Sequence, residues 1–162
     1  MVAQATILPT LWFDTCSFTE LRRSYPKQEF ESVWQFVEQL LNSGRIFSID
    51  EVYIELAQQD DEIFQWVSQW EDKFIPLDDA IQTKALEILS RFPTLIDLRK
   101  GKSGADPFLI AVAAVRGGII VSEENRSGGP PMVKIPDVAL SFGIPCMKFL
   151  NVLRQEGYRS TV

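Results

Sequence analysis

"LWFDTCSF", residues 11–18, is an apolar run that ends abruptly in a carboxylate. Leu11, Trp12 and Phe13 suit a short buried strand after Pro9. Asp14, Thr15, Cys16 and Ser17 then replace bulk with small polar groups before Phe18 returns to the apolar side. A carboxylate at the end of a buried strand either caps the following helix or stands there for chemistry.

The flanking sequence repeats the alternation of short apolar strands with amphipathic helices. "QEFESVWQFVEQLLNSG" places Phe30, Val33, Trp34, Val37, Leu40 and Leu41 at helical spacing, with Gly44 as the stop. "RIFSI" reads as a second strand, and Asp50 as the N-cap of "EVYIELAQQ" with Glu51 in the first turn. "DDEIFQWVSQWEDK" predicts one continuous helix with Ile63, Trp66, Val67 and Trp70 on a stripe, and "KFIPL" a third short strand. "DDAIQTKALEILSRF" is a helix that stops before Pro93, and "RKGKSGAD" is a basic loop containing glycines.

"ADPFLIAVAAVRGG" predicts a buried helix with Asp106 at the N-cap, Pro107 at the first position and Gly117–Gly118 at its end. The strand "IIVS", the loop "EENRSGGPP", the short helix "DVALSFGI", the strand "PCMKF" and the helix "NVLRQEG" complete the chain. This order argues for an α/β architecture, a parallel sheet covered on both faces. With 162 residues, one domain spanning 1–162 is expected.

Sixteen basic and twenty-two acidic residues leave a formal charge of −6, so the chain is no generic polyanion binder. Histidine is absent, which removes imidazole base catalysis, Ser-His and Cys-His nucleophile systems and nearly every zinc site. Cys16 and Cys146 form no CxxC pair; Cys146 reads as core and Cys16 as a small packing residue. No basic n-region precedes the first apolar stretch, and residues 107–122 are too short and too charged to span a bilayer, so a cytoplasmic protein with no membrane association is expected.

The candidate acids are Asp14, Asp106, Glu123, Glu124, Glu51 and Glu55. In an open parallel sheet, strand C-termini and helix N-termini gather along one edge, where ligands bind at the topological switch point. Two carboxylates about 5 Å apart repel by roughly 3 kcal/mol at an effective dielectric near 20. A hard divalent cation removes that cost, and oxygen ligation is the rich option in a chain with no histidine.

Four motifs in order resemble those of the PIN-domain nucleases, from about Leu11 to Phe149: "WFDTCSF", "VYIEL", "ADPFLIAVA" and "IIVSEEN". The resemblance implies a three-layer α/β/α fold around a mainly parallel sheet of about four to five strands. It implies that Asp14, Glu55, Asp106 and Glu124 are catalytic acids that bind Mg²⁺ or Mn²⁺, with Ser17 and Ser122 orienting carboxylates. Glu stands in the fourth motif where many relatives carry Asp, which leaves open whether Glu123 or Glu124 points inward. The implied activity is hydrolysis of RNA to a 5′-phosphate and a 3′-hydroxyl.

The continuation "KIPDVALSFGI" resembles a PIN-like subfamily several of whose members sit beside antitoxin genes. The partners so implied are RNA, a cognate antitoxin and a second copy of the chain, with a type II toxin as the biological role. The alternative is a PIN-like module that has lost catalysis and binds protein. An aspartyl phosphatase is disfavoured, because Cys16 stands where the second Asp of that chemistry belongs. Arg22, Arg23 and Lys27 follow Asp14, while Arg99, Lys100 and Lys102 precede Asp106; both clusters are candidates for holding phosphates. "GKS" at 101–103 is not a phosphate loop, since Ile96 occupies the place of its first glycine. The Trp66/Trp70 and Phe30/Trp34 stripes read as core or as a partner-helix interface.

Overall fold

Five short strands build the centre: β1 (Leu11–Phe13), β2 (Ile46–Ile49), β3 (Phe74–Ile75), β4 (Ile119–Val121) and β5 (Cys146–Met147). A computed structural model describes residues 7–59, 61–96, 104–127 and 133–160. The strands are all parallel in the order β3-β2-β1-β4-β5, with Leu11 opposite both Ile46 and Ile119. β1 and β4 are buried throughout, as continuous apolar runs must be when helices cover both faces of a sheet. The chain starts in the middle, steps outward through β2 and β3, then returns to place β4 on the other side of β1. The switch point therefore lies between β1 and β4.

The flanking helices are α1 (Thr15–Ser24), α2 (Glu31–Asn42), α3 (Asp50–Gln59), α4 (Asp61–Val67), α5 (Asp79–Arg91), α6 (Asp106–Arg116), α7 (Ile135–Ser141) and α8 (Phe149–Gln155). α2 buries Val33, Trp34, Val37, Leu40 and Leu41 on the stripe its spacing predicts, and the chain leaves it at Gly44 with φ 73°. α6 buries six residues from Pro107 to Ala113, which fits a helix with little polar surface to offer. At its end Gly118 has φ 108°, and a Cβ there would stand 2.5 Å from the Thr10 carbonyl oxygen and 2.7 Å from Trp12 Nε1. Trp12 donates from Nε1 to the Gly117 carbonyl at 2.7 Å, tying β1 to the turn before β4.

Several boundaries depart from the sequence reading. Ala105, not Asp106, caps α6; Asp106 is its first residue and Pro107 its second. α3 takes Asp50 into the helix instead of leaving it as a cap. The expected continuous helix over 60–73 breaks after Val67 into a 3₁₀ turn, Ser68–Lys73, with Trp70 at φ −115°, ψ 21°. Tertiary packing accounts for the break: Trp66 is buried edge-on against Trp34, centroids 5.1 Å apart, and donates from Nε1 to Glu38 at 2.7 Å. Cys146, expected in the core, is half-buried on the edge strand β5.

Near the C-terminus, Arg45 holds Glu156 with two hydrogen bonds of 2.6 and 2.7 Å, both side chains only 12% exposed. This bidentate pair fastens the end of α8 to the start of β2. Glu156→Ala leaves a largely buried guanidinium without its carboxylate and is expected to cost about 3 kcal/mol, measured by denaturant unfolding.

Candidate active site

Asp14 follows β1 at the switch point and does the first of the jobs its sequence position suggests, capping the next helix. Its Oδ1 accepts the Thr15 N–H at 2.7 Å and caps α1, while its own N–H donates to the Val121 carbonyl of β4 at 3.0 Å. Its Oδ2 accepts from Ser122 Oγ and from Cys16 Sγ, each at 3.0 Å. The carboxyl is 5% exposed. Burial holds it well above the usual carboxylate range, and repulsion from Glu124 adds to the shift.

Glu55 comes from α3 and is half-buried. Thr15 Oγ1 donates to its Oε2 at 2.5 Å, so one residue fixes the two acids: its N–H on Asp14, its hydroxyl on Glu55. Burial raises the Glu55 carboxyl, with Asp14 repulsion acting in the same direction. Glu124 follows β4 and accepts the Ile135 N–H on Oε2 at 3.0 Å. Asp106 opens α6, where the helix dipole favours a negative charge.

Asp14, Glu55, Asp106 and Glu124 line one cleft of about 250 Å³ together with Thr15 and Cys16. Glu123 takes no part in it: its Oε1 accepts the Phe149 N–H at 2.6 Å and caps α8. Glu51, a first-turn residue of α3, does not line the cleft either.

The two serines divide. Ser122 donates to Asp14, whereas Ser17, fully buried, donates to the Val121 carbonyl at 2.7 Å. The expectation that Ser17 orients a carboxylate is thus corrected: its place in the first turn of α1 faces it to β4, and it clamps the helix to the strand. Cys16 sits on the rim with its thiol turned to Asp14; burial and that carboxylate push its pKa far up, so it is a hydrogen-bond donor and no thiolate nucleophile. Thr15, Thr19 and Gln59 also line the cleft and were not singled out from the sequence; for Thr15 the Asp-Thr pair in "WFDTCSF" carried the signal.

The basic residues are placed unevenly. Arg23 is exposed and pairs with Glu20 at 2.6 Å. Arg22 lies on the same helix, half-buried. Lys27 stands over the Trp34 ring at 5.7 Å and does not line the cleft. Arg99, Lys100 and Lys102 lie outside the described residues.

The donor set fits a hard divalent cation. The facing groups are carboxylates whose burial and mutual repulsion a cation relieves, and imidazole is absent from the chain. Among the described residues no three Asp, Glu or Cys groups form a ready-made cage. The acids instead spread around an open cleft with space for water oxygens, which Mg²⁺ retains in its coordination sphere.

A pH dependence follows. An acid whose folded pKa is raised contributes stability below its ordinary value near 4 and loses it as pH climbs through the raised value. Melting of the metal-free protein is therefore expected to move to higher temperature on acidification from pH 8 to pH 5, with the gain largely absent from Asp14→Asn. Asp78 and Asp137, whose carboxyls are held below their ordinary value, act oppositely only at lower pH. A flat melting profile over pH 5–8 would refute the strained carboxylates.

Residues 11–160 match the family model described as DUF4411, a domain of unknown function. The chain belongs to the DUF4411 family. No curated protein matches this DUF4411 chain. Among solved structures, FitAcB from Neisseria gonorrhoeae aligns with a TM-score of 0.53 at 14% identity, covering 85% of this chain and 96% of that one. PAE2754 from Pyrobaculum aerophilum aligns at 9% identity with a TM-score of 0.40, over 85% and 98% of the two chains. The FitAcB likeness speaks to the fold: this DUF4411 chain has the three-layer α/β/α, PIN-like arrangement. No helix among the described residues is long and apolar enough to cross a membrane.

Proposed function

We propose that this DUF4411 protein is a Mg²⁺- or Mn²⁺-dependent endoribonuclease, acting as the toxin of a toxin–antitoxin pair. The observation that supports it most is the convergence of Asp14, Glu55, Asp106 and Glu124, far apart in sequence, on one cleft at the switch point. These four would hold the cation. A bound divalent ion supplies a Lewis acid and lowers the pKa of a coordinated water, the chemistry that phosphodiester hydrolysis needs.

The chain's own groups then have defined tasks. Thr15 and Ser122 aim the Asp14 oxygens, and Thr15 aims Glu55, so the negative side of the cleft is set before substrate arrives. Asp14, the most buried of these acids, stands at the cleft floor, where water is scarcest and charge interactions are strongest. Arg23 follows the cleft-lining Cys16 by seven residues on α1, a spacing that puts both on one helix face, and its charge would meet a phosphate of the RNA strand there. A second copy of the chain and a cognate antitoxin are the protein partners this reading takes, and the cytoplasm its compartment.

Differential scanning fluorimetry with millimolar MnCl₂ or MgCl₂ tests the cation directly. At a hundredfold excess over its dissociation constant, an ion stabilises by about 2.7 kcal/mol, which for a domain of this size raises the melting temperature by roughly 5–10 °C. Cleavage of single-stranded RNA should appear under the same conditions and vanish in EDTA. A melting temperature indifferent to both ions would count for the inactive, protein-binding alternative.

A further inference from the structure

A second pocket of about 450 Å³ opens beside the acidic cleft, and Glu124 lines both. Its size is that of a site for a small organic ligand. Leu140 and Met147 give it an apolar wall, and Leu140 is 60% exposed, a large apolar side chain offered to solvent beside charged groups. Asn125 and Asn151 bring amides with both donors and acceptors, and Arg126 and Lys148 bring positive charge.

The rim is held in place. Asp137 accepts from the Ser127 N–H at 3.1 Å, from Ser127 Oγ at 2.8 Å and from the Lys134 N–H at 2.9 Å, and Glu124 accepts from Ile135. These bonds fix the segment after β4 against the start of α7. Arg126 stands 3.7 Å from Asp137 and remains 67% exposed, so its guanidinium faces solvent at the mouth.

We propose that this pocket receives the base next to the cleaved bond of single-stranded RNA, an assignment that rests on the nuclease reading of the adjoining cleft. A base has a flat face for Leu140 and Met147 and a polar edge for the two asparagine amides. Its neighbouring phosphates carry the charge that Arg126 and Lys148 complement. Continuity through Glu124 places the phosphate beside the acids once the base is seated. The base must be splayed out of any stack to enter, so the pocket selects single strands over duplex. Arg126 after β4 and Lys148 before α8 are thereby added to the cations of α1 that would hold RNA.

The test uses full-length, isotope-labelled Asp14→Asn protein, which spares the RNA, titrated with a single-stranded RNA trinucleotide. Amide shifts are expected at Asn125, Arg126, Leu140, Met147 and Asn151. Leu140→Asp and Arg126→Ala in the same background should each weaken binding about tenfold, and an abasic central nucleotide should erase the Leu140 effect. Equal affinity in these variants, shifts confined to other surfaces, or no binding would overturn the assignment. Cleavage is scored separately on protein with Asp14 intact. RNA seated in the pocket without Mn²⁺-dependent cleavage removes the nuclease and keeps the pocket; cleavage that Leu140→Asp and Arg126→Ala leave untouched removes the pocket and keeps the nuclease.

Discussion

Asp14→Asn should lower Mn²⁺-dependent cleavage of single-stranded RNA by about 10³-fold, the scale lost when one charge-stabilising group is removed from an active site. That factor corresponds to about 4 kcal/mol of transition-state stabilisation. The substitution keeps the shape of the side chain and the oxygen that caps α1 through the Thr15 N–H. The new amide faces Ser122 and Cys16, and the Ser122 hydroxyl can turn to accept from it. The fold should therefore survive. With a buried charge removed, metal-free Asp14→Asn should melt higher than the parent protein at neutral pH, while losing most of its response to Mn²⁺. Activity and stability then move in opposite directions, which a merely unfolded variant cannot reproduce. Parental cleavage rates in Asp14→Asn would remove the carboxylate from catalysis.

The second large effect concerns the floor beneath the cleft. Phe18, on the buried side of α1, packs against Phe13 with centroids 5.3 Å apart and against Phe74 at 5.5 Å; Phe149 meets Phe13 edge-on at 6.1 Å. Phe18 is 2% exposed. Phe18→Ala should cost about 3–5 kcal/mol, the loss of ring burial plus the cavity left behind. At roughly 2–4 °C per kcal/mol for a domain of this length, the melting temperature falls by about 6–20 °C. Mn²⁺ binds the folded form, so it should recover part of that loss by mass action. A drop of less than 1 kcal/mol would mean that the aromatic cluster does not anchor α1.

The alternation of apolar strands with amphipathic helices made the layered sheet readable, because strands buried on both faces leave continuous runs such as "LWF" and "IIV". Asp14, Glu55, Asp106 and Glu124 were legible as candidates through motif order, and topology brings them to one cleft. What composition and spacing could not carry were choices set by tertiary contact. Glu123 and Glu124 are neighbours with the same chemistry; Glu123 is drawn to the start of α8 and Glu124 to the start of α7, and only Glu124 lines the cleft. Ser17 looked equivalent to Ser122 until the approach of β4 gave it a carbonyl partner. The break after Val67 follows from the packing of Trp66 on Trp34, which no helical period reveals. The pocket beside Glu124 draws residues from β5, α7, α8 and the turn after β4, so no local pattern announces it.

The placement of β1 at the middle of the sheet has a temporal corollary. Asp14 and Ser122, which hydrogen-bond in the finished protein, are separated by 108 positions. At translation speeds of about 5–20 residues per second, roughly 5–20 s elapse between their syntheses. Throughout that interval the first strand has at most one flank paired, and the carboxylates have no shared wall to gather on. On the proposed nuclease reading, a nascent chain therefore carries no complete acidic cleft until the ribosome has passed Glu124.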